Sequence, residues 1–594
     1  MDLRRQFALL TLLFVLALAP AARAQNTENG LAELAQGRYA EALRLLAAAV
    51  EENPSDSRAV RGLAQAHLKL GRLDDAAQWL RRTVQLLPDD HESRFELARI
   101  LSWRDATRPE ALLHFGKLIE AQPENLEWRM TFAEVLSWQP ALHEKAAQEY
   151  EEVLACDPEN RTAQIRLALL RSWGGDLRRA EQLYNGILLE APDEALAILG
   201  KGEVLAWSGR PLEARRWLGR LNSETPERSR WLLARASADY GLGRYDRAHT
   251  SLSSLLQTEP GNPYALELRD AIEDWRRPHL EVGYSFMRQS GDPLTSRVEF
   301  NRPFARVRFP AGAGSRAEVS YEPTLYFNRA ATTREHRVGL GWEGQPTDRL
   351  RLRAQLYVAD YSLGPTDYTG SVALGWRVND RVRMDLGFTR APLLDSVQAV
   401  AGVEANGLRL GRARLNQVET AVHYYIPLRK LDFTLRYTDG AVTADATDTN
   451  RRIGLDFGAG KSFRVGQRGF LRLGYAFTHF GFDRDLGGFP TAAGPARDTG
   501  GYFSPTRFFN HAAQVGFGGE WKRRWSYFFG GSLGAQQAET RFSPLDIKRL
   551  SSYATTSHTL RLTRELHLVF SYEYINVGGA FRRNTFSAGI RRYF

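Results

Sequence analysis

The sequence predicts an α + β multidomain chain: an N-terminal α-helical repeat superhelix followed by a transmembrane antiparallel β-barrel of about 16 strands. Three observations carry this expectation. A proline recurs at Pro54, Pro88, Pro123, Pro158, Pro192, Pro226 and Pro260, at spacings of 34 or 35 residues. From His279 onward the helical period stops and short runs begin in which apolar and polar residues alternate. The last stretch, Asn584 to Phe594, places Phe586, Ala588 and Ile590 in alternation with Ser587, Gly589 and Arg591. A period of two turns one face toward an apolar medium.

Residues 1–24 have the layout of a secretory signal peptide. Arg4 and Arg5 precede a short apolar run from Phe7 to Ala19, and Ala22-Arg23-Ala24 is a small-x-small cleavage site. No later stretch offers the ~18 unbroken apolar residues of a membrane helix, so membrane insertion is expected to use strands. The single cysteine, Cys156, excludes an intramolecular disulfide and a cysteine-based zinc site. Its place in a predicted helix beside Ala155 leads one to expect a buried thiol.

Residues 25–275 read as a periplasmic repeat domain. A period near 34 with a helix-ending proline resembles the tetratricopeptide repeat. The other marks of that repeat are Gly37-Arg38-Tyr39-Ala40-Glu41-Ala42, Gly71-Arg72-Leu73-Asp74-Asp75-Ala76 and Gly243-Arg244-Tyr245-Asp246-Arg247-Ala248. Each glycine lets the chain turn between helices, and each alanine lets two helices approach. About seven such repeats would stack into one arm with a concave face, and Ala265 to Trp275 would cap it. Trp103, Trp138, Trp173 and Trp207 each lie 15 residues after the preceding proline. They could be inter-repeat packing, or a ladder of indole faces on which a sugar chain stacks.

Residues 276–594 read as the outer-membrane barrel. They hold 45 Lys+Arg against 28 Asp+Glu, whereas residues 1–275 hold 34 against 41. The arginines are dispersed along strands rather than clustered on a groove-reading fold, which argues against nucleic acid. Anionic lipid or an acidic polymer fits better. In the alternating runs Leu350, Leu352, Val382, Met384, Leu435, Tyr437, Leu560 and Leu562 take the lipid face. That turns Arg351, Arg353, Arg381, Arg383, Arg436, Arg472 and Arg561 toward the lumen, where they would attract anions, or else pair with Asp385, Glu573 and similar residues and brace the wall. Short turns at Pro346-Thr347-Asp348, Asn379-Asp380 and Gly466-Gln467 suit the periplasmic side. The longer stretches 394–416 and 483–505 suit the outside of the cell.

Three segments add a resemblance. The terminal Tyr593-Phe594 resembles the C-terminal signal of outer-membrane barrels, with Arg592 where that signal usually has an apolar residue. Arg390, Pro392, Asp395 and Ser396, followed by Ala401-Gly402 and Gly407, resemble the R-x-P-x-x-D-S…A-G segment of cellulose synthase operon protein C. Gly500-Gly501-Tyr502-Phe503-Ser504-Pro505, followed by Phe508-Phe509 and Trp521-Lys522-Arg523-Arg524, is similar to that family's GGYFSP segment. The resemblance implies export of an exopolysaccharide, cellulose-like or acidic, across the outer membrane, as in cellulose biosynthesis and biofilm formation. The implied partners are the exopolysaccharide chain, periplasmic or inner-membrane synthase components, and outer-membrane lipid. The arm is shorter than that of the cellulose protein. A scaffold whose repeats dock a protein partner, with the barrel as its anchor, is the alternative, and a small-solute porin is a third reading.

No enzyme chemistry stands out. Gly458-Ala459-Gly460-Lys461-Ser462 has the end of a phosphate-binding loop but the wrong upstream spacing, and it lies in a strand. The histidines lack metal-ligand spacing, and no cofactor motif stands out. Asp483 and Asp485 on a loop are more often solvated than catalytic.

Overall fold

The structure, a computed structural model, describes residues 25–291, 298–312, 314–328, 332–362, 364–405, 408–445, 447–466, 468–487, 501–540, 543–578 and 580–594. Residues 1–24, Gly407, Gln467 and Gly500, and with them the signal peptide, lie outside the described residues. The chain divides into two compact units, Met1–Gly200 and Lys201–Phe594.

The first unit is a stack of helix pairs. Its register comes from the repeating proline, because two residues after Pro54, Pro88, Pro123 and Pro158 an Asp or Asn caps the next helix. Asp56 accepts from the N–H of Ala59 at 3.1 Å, Asp90 from Ser93 at 3.1 Å, Asn125 from Trp128 at 3.1 Å and Asn160 from Ala163 at 3.1 Å. Each cap satisfies an orphan N–H and is worth ~1 kcal/mol. Gly37 and Gly71 take φ of +77° and +71°, the left-handed turn between paired helices. Ala42 and Ala76, five residues beyond, are fully buried where the helices meet, and Leu46, Leu63, Leu80, Leu97, Phe115 and Leu136 carry the core between repeats. Cys156 departs from expectation: it ends the helix His143–Cys156 and its thiol is exposed. The helix keeps Ala146, Ala147, Tyr150 and Val153 for its buried face, and position 156 falls off that stripe.

In the second unit, sixteen strands form one closed antiparallel wall. They are β1 (His279–Gly291), β2 (Val298–Pro310), β3 (Ser315–Phe327), β4 (Thr332–Gly344), β5 (Leu350–Tyr361), β6 (Asp367–Arg377), β7 (Val382–Pro392) and β8 (Leu408–Ile426). They continue as β9 (Leu431–Asp445), β10 (Thr447–Val465), β11 (Gly469–Phe482), β12 (Arg507–Trp521), β13 (Trp525–Thr540), β14 (Ser543–Arg561), β15 (Leu566–Val577) and β16 (Phe581–Tyr593). The three-residue strand Val403–Ala405 folds back on β8 outside the wall. β8 begins at Leu408, so the expected loop to Asn416 is shorter than its composition suggested. β16 closes the sheet on β1, pairing Val282 with Ile590 and Phe286 with Phe586.

The register keeps one face apolar all the way round. Leu340 faces Leu356, Met384 faces Val422, Leu435 faces Phe457, and Leu473 faces Val515. These side chains are exposed, as they must be to meet lipid. Short turns join the strands at one rim. Asn379 Oδ1 accepts from the N–H groups of Arg381 (2.8 Å) and Val382 (2.9 Å), and Thr347 Oγ1 accepts from Leu350 (3.0 Å).

That rim holds the last helices of the chain's helical region: Pro211–Leu218, Arg228–Gly241, Tyr245–Thr258 and Pro263–Arg276. Asp380, from the turn before β7, accepts from the N–H groups of Leu212 (3.0 Å) and Glu213 (2.9 Å), capping the helix Pro211–Leu218. Asp348, from the turn before β5, meets Arg215 at 2.6 Å and Arg244 at 2.8 Å. Glu267 meets Arg468 at 3.0 Å and Arg523 at 3.2 Å. Partial burial alone would raise the Asp348 carboxyl, but Arg244, Arg215 and Arg247 hold it below the usual aspartate range. A depressed carboxylate contributes its stability above the unfolded pKa and loses it as pH falls through the folded value. Docking of the helices should therefore be unchanged between pH 7 and pH 5 and weaken only below about pH 4. Asp348→Asn with Asp380→Asn should raise amide exchange in residues 211–218 about tenfold at pH 7, with barrel strands unaffected. Unchanged exchange in the double variant would contradict the assigned contacts.

Candidate functional site: an inward plug and a braced lumen

Both family-like segments fold back into the barrel. β7 ends at Pro392, and Ser396 then caps the short helix Val397–Ala401, accepting from the N–H of Ala399 at 3.0 Å. Val397, Val400 and Ala401 are buried against Met287, Phe300, Tyr326, Ala359 and Tyr361. On every strand concerned, those residues alternate with lipid-facing ones, so the helix lies on the lumen side of the wall. The described parts of the loops expected outside the cell thus turn inward, as a plug-like segment packed on the lumen face.

The second segment locks onto the first. Ser396 Oγ donates to the carbonyl of Gly501 at 2.7 Å, and Asp395 Oδ2 accepts from the N–H of Phe503 at 3.0 Å. Gly501 has φ +68°, and a Cβ there would sit 3.0 Å from Ser396 Oγ, so the crossing requires glycine. Tyr502 is buried and its Oη accepts from Asn450 at 3.2 Å. Ser504 Oγ accepts from the N–H of Leu486 at 2.8 Å, and the Pro505 carbonyl accepts from Phe482 N–H at 3.0 Å.

The first and last strands of the wall also grip this node. Arg583 of β16 reaches Asp395 at 3.3 Å and donates to Gln289 Oε1 at 2.7 Å, while Gln289 Nε2 donates to the Asp395 carbonyl at 2.9 Å. Arg390 stays in the wall, bonded to the Tyr368 carbonyl at 2.9 Å and Asn416 at 2.8 Å. Asp395, Ser396, Gly501, Tyr502, Phe503 and Ser504 therefore meet. Arg390 and Pro392 set the strand end that leads to them.

The arginines assigned to the lumen are mostly paired. Arg351 and Arg353 lie 3.3 and 3.4 Å from Glu343, Arg383 lies 3.0 Å from Asp385, and Arg436 lies 3.0 Å from Glu419. Arg472 meets Asp432 at 2.5 Å, and Arg561 meets Asp274 at 3.3 Å. Arg381 is not on a strand; it sits exposed in the rim turn before β7. β2 to β4 hold a denser lattice that the sequence reading missed. There Arg306 and Arg337 share Glu322, and Tyr326 and Tyr361 both donate to Glu335, at 2.8 and 3.1 Å. The missed signal was the acids at the same strand parity as the arginines: Glu318, Glu322, Glu335 and Glu343.

In the helical region the four tryptophans end four successive first helices. Trp103 is 73% exposed, and Trp138, Trp173 and Trp207 are 45–48% exposed, so much of each indole faces solvent. Arg108 lies over Trp138, 5.4 Å from its centroid, and His143 packs 5.6 Å from Trp173.

With this geometry in place, comparison with known proteins is informative. Residues 284–555 match the family described as the C-terminus of cellulose synthase operon protein C, and residues 27–91 and 175–238 match tetratricopeptide repeat families. The first of these family matches spans most of the barrel, whose strands run from His279 to Tyr593. Its position after tetratricopeptide repeats makes the chain an outer-membrane barrel preceded by a repeat arm. None of the curated proteins compared with it matches the chain. Among solved structures, one titled "Bacterial polysaccharide outer membrane secretin" is similar at 12% identity and TM-score 0.40, covering 54% of this chain and 99% of that one. A tetratricopeptide repeat protein from Parabacteroides merdae is similar at 15% identity and TM-score 0.33, covering 42% of this chain and 99% of that one.

The plug contacts give a direct expectation. Asp395→Asn with Arg583→Gln removes one charge of each sign, so the net lumen charge is unchanged while the ion pair that ties the plug to β16 is lost. Breaking this pair should raise mean single-channel conductance in planar bilayers at least about threefold, because the closed state loses a charge-assisted contact. Conductance equal to that of the parent protein would show that the node does not hold the plug.

Proposed function

We propose that this protein conducts an exopolysaccharide chain across the outer membrane, with the repeat arm receiving the polymer or its synthase partners and the barrel acting as the conduit. The observation that carries the reading is the plug: the two segments that resemble the cellulose export family are those that meet inside the barrel. A channel of this width needs a seal when no chain occupies it, and a plug held by a few polar contacts provides one. Engagement of the strand arginines by carboxylates favours a neutral, cellulose-like polymer over an acidic one.

The arm contributes through its solvent-facing indoles. A flat aromatic face stacks on the C–H face of a sugar ring and tolerates sliding, so Trp103, Trp138, Trp173 and Trp207 suit a chain in transit. No cofactor enters this reading; polymerisation at the inner membrane supplies the drive.

Deleting the gene in a polymer-producing strain tests it. Surface glycan should fall at least about tenfold while glycan accumulates in the periplasm, and the full chain should restore export. A chain carrying Trp138→Leu and Trp173→Leu should remain folded and restore it only partly, by about 1–2 kcal/mol of lost stacking. Surface glycan unaffected by the deletion would refute the export reading.

A further inference from the structure

We infer that the polymer does not use the lumen wall evenly but slides along one arc of it, the inner face of β12–β15, a neutral track of small and hydroxylated side chains. This rests on the export reading and adds where the chain runs and what chemistry it must have.

The inner face changes character round the barrel. On β2–β5 it is a lattice of Arg302, Arg306, Arg337, Glu322, Glu335 and Glu343. On β12–β15 the same parity brings Gln514, Gly516, Gly530, Ser532, Thr555 and Ser571 together. A Cβ on Gly530 would lie 3.2 Å from Thr555 Cγ2, and one on Gly516 would lie 3.5 Å from the Phe528 ring and 3.8 Å from Arg472 Cβ, so these residues share one face. Charges on and beside these strands lie toward their ends: Arg472 is taken up by Asp432 at 2.5 Å, Glu520 by Arg468 at 3.1 Å, Arg561 by Asp274 at 3.3 Å and Arg591 by Glu281 at 2.7 Å, while Arg549 lies at the far end of β14, opposite Gln536. Glu573 within the arc accepts from Tyr553 Oη at 3.4 Å.

Near the rim that holds the helices, two rings mark the start of the arc. Phe470 and Phe528 stack with centroids 6.3 Å apart and planes 23° apart, and Phe470 is 39% exposed. They face the same side as Arg472 and Gly516. At the other end Phe503 of the plug packs edge-on against Phe508 of β12 and Phe581 of β16, both at 6.2 Å.

Transit requires contacts favourable enough to admit the chain and weak enough to release it at each step. Serine, threonine and glutamine offer interchangeable donors and acceptors to sugar hydroxyls, and glycines keep the wall flat. Arginines and glutamates would hold a ligand more tightly through charge-assisted bonds, and here they are committed to one another. The geometry therefore fits a neutral polyhydroxyl chain on the arc, with the ionic sector serving as a brace.

Photo-crosslinking with the purified full chain tests this. p-Benzoylphenylalanine is placed at Ser532 or Thr555 on the arc and at Gln355 or Ser371 on the inner face of β5 and β6; two positions per sector keep the comparison alive if one variant misfolds. The probes are a β-linked glucose hexamer and a hexagalacturonate. The track predicts at least about tenfold more labelling by the neutral hexamer at Ser532 and Thr555 than at Gln355 and Ser371, and weaker labelling of the arc by the uronate. Equal labelling of both sectors overturns the track and leaves the export reading standing. Stronger uronate labelling on the arc overturns its neutral specificity. No labelling by either probe at any of the four positions overturns the export reading as well.

Discussion

In a bilayer an unpaired backbone N–H or C=O has no water to turn to, and each costs several kcal/mol. The pairing of β1 with β16 is therefore the contact on which the rest depends. It runs from His279 opposite Tyr593 to Gly291 opposite Phe581, leaving neither edge strand exposed to lipid. Closure also fixes which side of every strand is inside. Once Val282 and Ile590 face outward together, parity sends Glu281 and Arg591 inward, where they pair at 2.7 Å. Both ends of the plug node depend on it too, since Gln289 belongs to the first strand and Arg583 to the last. The seam that closes the barrel is thus also where the plug is anchored.

A closed wall with a polar interior faces a second constraint, because charges held over a low-dielectric surround must find partners. The barrel meets it by cross-strand pairing. Glu343 lies between Arg316 and Arg353 on neighbouring strands, and Glu322 between Arg306 and Arg337. An excess of basic residues over the domain can then coexist with a lumen that offers little free charge. Toward the rim the same chemistry has another use: Asp348, Asp380 and Glu267 bind the last helices to the barrel turns.

Much of this was legible in the sequence because it is periodic. Prolines at a 34-residue spacing place the helix pairs, and after Pro54, Pro88, Pro123, Pro158 and Pro260 an Asp or Asn two residues later caps the next helix. Alternation at Leu350–Arg353 or Val382–Asp385 identifies the lipid face without knowledge of any partner. What periodicity does not carry is pairing across distance. Ser396 and Gly501 are 105 residues apart, so the plug cannot be read from either segment alone. Arg316 and Glu343 are 27 apart, and only the strand register brings them together, which is why the arginines looked free. Cys156 fails for a related reason: the helix was correctly placed, but its buried stripe is set by neighbouring repeats.

The central claim is that the strand arginines of this closed barrel are held by carboxylates across the wall, so that a neutral chain meets few charges free to grip it. The reversal potential of the full chain across a tenfold KCl gradient tests it most directly, using the charge-balanced Asp395→Asn, Arg583→Gln protein so that the pore conducts. Paired arginines predict weak selectivity, with a chloride-to-potassium permeability ratio within about threefold of unity. A ratio above about ten in favour of chloride would show that the arginines act as free charges, and would contradict the account.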